Sequence, residues 1–235
     1  MKGKVKKVER ITKDVIHCVV GDIKTTRIEP GQFVLVDVLE NQKRAYGVAN
    51  APKNGYIDSI ELFIDTTPGG PGSRYFSSIK KNDSFVYKGP YGDFKISEKL
   101  AKTHPNIVFL ATGTGIAPVK AMIESLTIGD FSVKNTKRDI RLYFGLRYPH
   151  DIYLLDYFEE LASNISYFSF ILSLSRPTLS WHGPSGYITE HLLQSNINLN
   201  EYDYYICGAR NTTQNIIELL KGHGISKERI NFEHY

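Results

Sequence analysis

The sequence predicts an antiparallel β region followed by an α/β region built on a parallel sheet. Three observations support this. From Lys4 to about Val86 the chain reads as short strands rich in Val, Ile, Phe and Tyr, broken by glycine- and proline-bearing turns. After about Pro105, apolar runs of strand length alternate with stretches of helix length. The charge balance changes at the same place: residues 1–103 carry 18 Lys/Arg against 12 Asp/Glu, and residues 104–235 carry 11 against 13. The expected domains are 1–98 and 105–235, joined through Ser97–Pro105.

In the first region the strands are placed at Val15–Val20, Phe33–Val38, Tyr46–Ala49 and Ile57–Ile64. Glu29-Pro30-Gly31, Lys53-Asn54-Gly55 and Pro68-Gly69-Gly70 are the turns between them, because Gly, Pro and Asn supply the backbone angles that tight turns need. Strands at this spacing form a barrel or a sandwich. In the second region the strands are Ile107–Ala111, Ile140–Phe144, Tyr167–Leu172, Tyr204–Cys207 and Ile230–Glu233, five in all. The helices are Ala117–Leu126, Asp151–Ala162, Tyr187–Gln194 and Thr213–Lys221. Strand–helix alternation of this kind buries a parallel sheet on both faces.

Composition narrows the function classes. With 235 residues, 41% apolar and 23% charged, the chain has ordinary globular composition and is long enough to bury a core without metal or disulfide staples. Its two cysteines, Cys18 and Cys207, exclude a disulfide framework, a four-cysteine zinc site and a four-cysteine iron–sulfur cluster made by this chain alone. A reducing, cytoplasmic setting is expected. No apolar run reaches 18 residues, and the basic start MKGKVKKVERITKD lacks an apolar core, so neither membrane insertion nor a secretory signal is expected. The seven histidines form no H-x-x-x-H or H-E-x-x-H pattern, so no metal site is expected; G-x-S-x-G and P-loop motifs are absent. Lys2, Lys4, Lys6 and Lys7 read as a solvated strand edge before an acidic-partner dock. Trp181 reads as packing.

The strongest motif is Ala111-Thr112-Gly113-Thr114-Gly115-Ile116-Ala117-Pro118. It follows an apolar strand and opens a helix. Its glycines let backbone N–H groups approach an anion, and the helix N-terminus favours negative charge there. Pro118 suits the first helical turn. A second group is Arg44-Ala45-Tyr46-Gly47-Val48-Ala49-Asn50, followed by Gly69-Gly70-Pro71-Gly72-Ser73. An arginine fork grips phosphate, a tyrosine ring lies against a flat heterocycle, and a glycine-rich turn wraps a pyrophosphate. Taken singly, each of these pieces also fits a plain structural role.

In this order the motifs resemble those of the ferredoxin–NADP reductase superfamily. Arg44-Ala45-Tyr46-Gly47 stands where the family has R-x-Y-S, Gly69–Ser73 where it has its flavin-phosphate turn, and Gly89-Pro90-Tyr91-Gly92 where it has G-P-x-G. Gly113–Pro118 matches the nicotinamide-pyrophosphate loop, and Cys207-Gly208 the segment beside the nicotinamide. The resemblance implies a six-stranded antiparallel flavin-binding barrel and a Rossmann-like five-stranded parallel nucleotide-binding domain. It implies that NAD(P)H reduces bound FAD, which passes electrons to a separate acceptor such as a ferredoxin, a flavodoxin or another subunit. Arg44 would hold the flavin phosphate, Tyr46 would stack on the ring system with Gly47 and Val48 beside it, and Gly70, Gly72 and Ser73 would line the pyrophosphate. Thr112, Gly113, Thr114 and Gly115 would hold the nicotinamide nucleotide, with Thr114 and Cys207 beside its ring. Phe144-Gly145-Leu146-Arg147 and Ser175-Arg176-Pro177, with Tyr187, would take the adenosine half and favour NADPH over NADH. The chain ends Phe232-Glu233-His234-Tyr235, matching the family's terminal Glu-x-Tyr; Glu233 would assist the site and Tyr235 would cover the flavin. Catalytic roles would thus fall to Tyr46, Cys207, Glu233 and Tyr235.

Gly47 departs from the family, which has Ser there; a backbone N–H or Thr112 is expected to substitute at flavin N5. Other readings are an NAD(P)H:flavin oxidoreductase that releases its flavin, and a nucleotide-binding redox sensor without turnover. The chain also resembles the dihydroorotate dehydrogenase electron-transfer subunit, but lacks cluster cysteines. Nucleic-acid binding by the basic barrel is not expected.

Overall fold

The structure, a computed structural model, describes residues 1–96, 106–132 and 138–235. The expected linker Ser97–Pro105 lies outside the described residues. The described chain forms two compact units. One takes the chain to Ile96 and then Ala117–Ser132; the other takes Asn106–Ile116 and the chain from Arg138 onward.

The first unit contains β1 (Lys2–Arg10), β2 (Val15–Gly21), β3 (Thr26–Arg27), β4 (Phe33–Leu39), β5 (Gln42–Gly47), β6 (Tyr56–Ile57), β7 (Ile60–Asp65), α1 (Pro71–Ser78) and β8 (Ser84–Tyr91). Six of the strands make one antiparallel sheet in the order β5-β4-β8-β1-β2-β7, and β3 pairs with β6 separately. The sheet forms a half-barrel in which one residue in two faces inward. Along β4, Val34, Val36 and Val38 are buried while Leu35 and Asp37 are partly exposed. With Val5, Cys18, Val20, Leu62 and Phe76 they form a single core. The expected Lys53-Asn54-Gly55 turn is a tight one: Asn54 and Gly55 both have positive φ (52° and 76°), and Lys53 pairs with Tyr56 across it.

Two strands differ from expectation for a common reason. Ile57–Ile64 is split, Tyr56–Ile57 pairing with β3 and Ile60–Asp65 joining the main sheet. The Asn50 amide takes over at the break, donating to the Ser59 carbonyl (3.1 Å) and accepting from the Glu61 N–H (2.8 Å). The expected strand Tyr46–Ala49 ends at Gly47, and the chain then leaves the β4 ladder. Val48 N–H donates to the Gln32 carbonyl (3.1 Å) and Ala49 N–H to the Glu61 carbonyl (2.8 Å), carrying the chain from β5 across to β7.

The helix α2 (Ile116–Thr127) belongs to this unit from Ala117 onward. Its residues Val119, Met122, Ile123 and Leu126 are fully buried.

The second unit contains β9 (Asn106–Thr112), β10 (Ile140–Leu146), α3 (Leu155–Asn164), β11 (Phe168–Leu174), α4 (Ile188–Gln194), β12 (Tyr202–Gly208), α5 (Arg210–Gly222) and β13 (Ile230–His234). All five strands are parallel, in the order β11-β10-β9-β12-β13. β9 is central, and Ile107–Ala111 are buried without exception, as a strand covered on both faces requires. The strand order reverses between β9 and β12, and open α/β sheets bind ligands at the carboxyl ends of the strands flanking such a switch point. The expected helix Asp151–Ala162 starts only at Leu155. Pro149–Asp151 is a separate 3-10 turn, and Leu154 has a left-handed φ of 59°, which no α-helix can contain. The break lets Tyr153 turn inward, where its ring meets Phe144 edge-on and its hydroxyl donates to the Gly113 carbonyl (2.9 Å).

Candidate functional site

In the first unit the residues singled out by sequence come together at one end of β5. Gly72, in the first turn of α1, packs so closely against Tyr46 that an added Cβ would overlap the phenol oxygen; Arg44 lies 3.4 Å from the same point. Tyr46 also meets Phe76 of α1 edge-on, 4.9 Å between ring centres. Burial pushes the Tyr46 hydroxyl up to about 12, so it stays protonated. The N-terminus of α1 is open to an anion: Gly70 precedes it without a side-chain cap, Pro71 follows, and no acidic residue lies in the first turn. An added Cβ at Gly69 or Gly70 meets nothing within 4 Å. Arg44 and Arg74 are both exposed beside this turn, and Ser73 Oγ donates to the Asp65 carbonyl (3.4 Å). Arg74, whose guanidinium donates to the Gly69 carbonyl (2.6 Å), escaped the sequence reading. This cradle of free N–H groups, arginines and an aromatic face fits a flavin dinucleotide.

Gly47 faces Pro118 of α2. A Cβ at Gly47 would lie 2.7 Å from Pro118 Cδ, so the proline ring takes the space a serine side chain would need. Val48 is buried in the core behind it.

Sequence reasoning also missed a buried charge network in this unit. Lys120 Nζ donates to Glu61 Oε2 (2.9 Å), and it contacts Glu124 Oε1 (2.7 Å) and the Ala49 carbonyl (3.2 Å). His17 Nε2 lies 2.9 Å from Glu61 Oε1, and its ring stacks on Phe63. Burial works to raise the Glu61 carboxyl, but His17 and the Lys120 charge outweigh it and hold Glu61 at about 2. Burial alone would lower Lys120; Glu124 and Glu61 raise it instead. The available signal was Lys120 and Glu124 four residues apart in an otherwise apolar helix. His17 and Glu61 lie far apart in sequence, on β2 and β7, and gave none.

In the second unit a cluster forms at the switch point. Gly113–Gly115 is a 3-10 turn leaving β9, and Gly113 needs its positive φ of 53°. Gly115 sits against β12 so tightly that a Cβ would overlap the Cys207 carbonyl, and a Cβ on Gly208 would overlap Thr112 Oγ1. The chain end joins them. Cys207 pairs with Glu233 and Gly208 with His234. Tyr235 Oη donates to the Thr112 carbonyl (3.1 Å) and lies 2.9 Å from where a Gly113 Cβ would stand. Thr112, Gly113, Thr114, Gly115, Cys207, Glu233 and Tyr235 thus occupy neighbouring strand ends. Burial raises the Glu233 carboxyl to about 7, and burial followed by the Glu233 charge raises the Cys207 thiol. Cys207 is therefore a neutral thiol and Glu233 a group that titrates near neutrality.

Arg147, Ser175 and Arg176 form a second cluster at the ends of β10 and β11. The Arg176 N–H donates to the Arg147 carbonyl (2.8 Å) and the Ser175 N–H to the Leu146 carbonyl (3.0 Å). The Arg176 guanidinium donates to Tyr148 Oη (3.1 Å), and Tyr148 stacks on His150, 5.2 Å between ring centres. Tyr148 and His150 were not anticipated. Tyr187 is largely exposed at the start of α4, where its N–H donates to Glu190 (3.3 Å).

A half-barrel with an anion cradle and a parallel sheet with a nucleotide turn at its switch point define a two-part oxidoreductase architecture. Comparison with known proteins agrees. Residues 2–96 match the oxidoreductase FAD-binding domain and residues 109–216 the oxidoreductase NAD-binding domain. The chain is 28% identical over 208 residues to the toluate 1,2-dioxygenase electron transfer component of Pseudomonas putida, covering 88% of this chain and 58% of that protein. It is 30% identical to the CDP-6-deoxy-L-threo-D-glycero-4-hexulose-3-dehydrase reductase of Yersinia pestis, covering 88% and 60%. The chain thus spans somewhat over half the length of these relatives. In fold it is similar to an Amycolatopsis cytochrome P450 reductase (TM-score 0.89, 23% identity, covering 100% of this chain and 69% of that one). It is similar also to a ferredoxin NADP+ reductase from Neisseria gonorrhoeae (TM-score 0.81, 22% identity, covering 100% and 98%). The chain belongs to the ferredoxin–NADP reductase superfamily, with one domain for FAD and one for a nicotinamide nucleotide. Among the described residues, no helix is long and apolar enough to cross a membrane.

Proposed function

We propose that the chain takes a hydride from NAD(P)H onto FAD and delivers the electrons to a separate acceptor, such as a ferredoxin, a flavodoxin or another subunit. The observation that supports this best is the presence in one chain of both matched domains. The assignment is residues 1–98 for FAD and 105–235 for the nucleotide, with Ala117–Ser132 packed in the first unit. FAD, when bound, supplies the step between a two-electron donor and one-electron carriers.

The chain's own residues hold and align. Arg44, Arg74 and the α1 N-terminus bind the flavin diphosphate, with Gly70, Gly72 and Ser73 letting it approach the backbone. Tyr46, a neutral phenol, presents its ring to the flavin, with Gly47 and Val48 alongside. Thr112–Gly115 take the nicotinamide nucleotide, and the uncharged Cys207 thiol gives its ring an apolar neighbour. Glu233 holds or releases a proton near neutral pH beside it. Tyr235, hydrogen-bonded to the Thr112 carbonyl, is the ring that must shift when nicotinamide enters. Ser175, Arg176 and Tyr187 receive the adenosine end, with Arg147 beside them, and the exposed Arg176 favours a 2′-phosphate, hence NADPH.

The test is steady-state oxidation of NADPH with ferricyanide as a one-electron acceptor. The expected result is two ferricyanides reduced per NADPH, by flavin that stays with the protein through desalting. Activity that disappears on desalting and returns only with free flavin would favour flavin as a released substrate. No oxidation of either NADPH or NADH would sink the proposal.

A further inference from the structure

The buried Lys120 has no part in the proposed reaction, although only 8% of its side chain is exposed. Docking α2 does not need it, since Val119, Met122, Ile123 and Leu126 already bury an apolar face. Apolar residues in place of such an ion network would often hold a fold equally well or better. The network differs in which atoms it grips. Lys120 reaches the Ala49 carbonyl, and its partner Glu124 accepts from the Ala51 N–H (3.1 Å). Its other partner, Glu61, sits on the strand whose backbone pairs with Ala49 and with the Asn50 side chain. Ala49, Asn50 and Ala51 are thereby fixed one after another, directly beyond Tyr46–Gly47. Two residues before Lys120 on the same helix, Pro118 bears on Gly47 itself.

We propose that Lys120 is a positioning residue: through Glu61, Glu124 and the Ala49 carbonyl it sets where the backbone of Tyr46–Ala51 lies, and so the edge that meets the flavin. The identity of that ligand rests on the function proposed above; the fixing of the backbone does not. The geometry also accounts for Gly47. A helix pinned at Lys120 holds Pro118 in the space that a serine side chain would fill.

The experiment compares the full chain with Lys120→Met and with the triple variant Lys120→Met/Glu61→Met/Glu124→Met. It reads melting temperature, amide hydrogen exchange without FAD, and FAD affinity. The informative amides are Val48 and Ala49, whose acceptors are backbone carbonyls that the substitutions leave in place. The triple variant is expected to melt near the parent, yet to exchange Val48 and Ala49 about tenfold faster and bind FAD about tenfold more weakly. Parent-like exchange at both amides would overturn the proposal, as would FAD affinity within twofold of the parent in a chain that binds FAD. If the triple variant does not melt cooperatively, Glu124→Gln carries the test; it keeps an acceptor for Ala51 and should still speed exchange at Val48 and Ala49 several-fold, and parent-like exchange there would overturn the idea. A parent chain that binds no FAD refutes the flavin reading, while the exchange measurement still decides on Lys120.

Discussion

The two clusters are built by opposite means. The cradle proposed for the flavin is backed by charge: Lys120 and Glu124 of α2, Glu61 of β7 and His17 of β2 come from three separate segments and meet where little water reaches. The nucleotide turn is backed by missing side chains: Gly115 lets the turn close on the Cys207 backbone, while Gly208 and Gly113 make room for the Thr112 side chain and the Tyr235 hydroxyl. The first arrangement should tolerate changes of shape but not of charge, and the second the reverse.

The largest effect is expected from Lys120→Met, which takes the shared cation from two largely buried carboxylates and should cost about 3–5 kcal/mol in chemical denaturation; a loss below about 1 kcal/mol would mean the network contributes little. Gly115→Ala should cost about 2–3 kcal/mol without changing any charge, because its Cβ meets a carbonyl that cannot swing aside. A parent-like melting curve would show that the turn can open. Glu61 comes next, through pH. Its carboxyl is depressed from an ordinary 4.5 to about 2, so its stabilisation is fully present above 4.5 and is lost as pH falls toward 2. Glu61→Gln should remove roughly 3 kcal/mol at neutral pH and flatten the stability profile across that window. Arg176→Ala should raise KM for NADPH about tenfold with kcat and NADH kinetics nearly unchanged, since a lost 2′-phosphate contact is lost binding alone; equal effects on both nucleotides would remove the NADPH assignment. The smallest effect is expected from Glu233→Gln. Flavin reduction in the parent should change across a pH near 7, where Glu233 passes from neutral to charged, and the variant should lack that step.

The same contrast explains what the sequence disclosed. The nucleotide turn is local chemistry: a strand, Gly-Thr-Gly and a proline read in order, so Thr112–Gly115 and the five strands were visible in the chain. Arg44, Tyr46 and Gly72 were visible for the same reason, each inside a short motif. The charge network was not, because His17, Glu61 and Lys120 acquire meaning only once β2, β7 and α2 are side by side. The late start of α3 had a similar origin. Pro149 and Asp151 are good helix-starting residues, but burying Tyr153 against Phe144 and the Gly113 carbonyl bends the chain at Leu154 first. The reason for glycine at position 47 was hidden too, since Pro118 is distant in sequence. Serine at position 47 should accordingly slow flavin reduction, and replacing Pro118 with alanine in the same chain should relieve part of the loss.

The most direct measurement is the visible absorption of the purified protein during anaerobic addition of NADPH. The account predicts flavin bands that travel with the protein and bleach with one equivalent of NADPH per flavin. Flavin bands that persist through excess NADPH and NADH alike would contradict it.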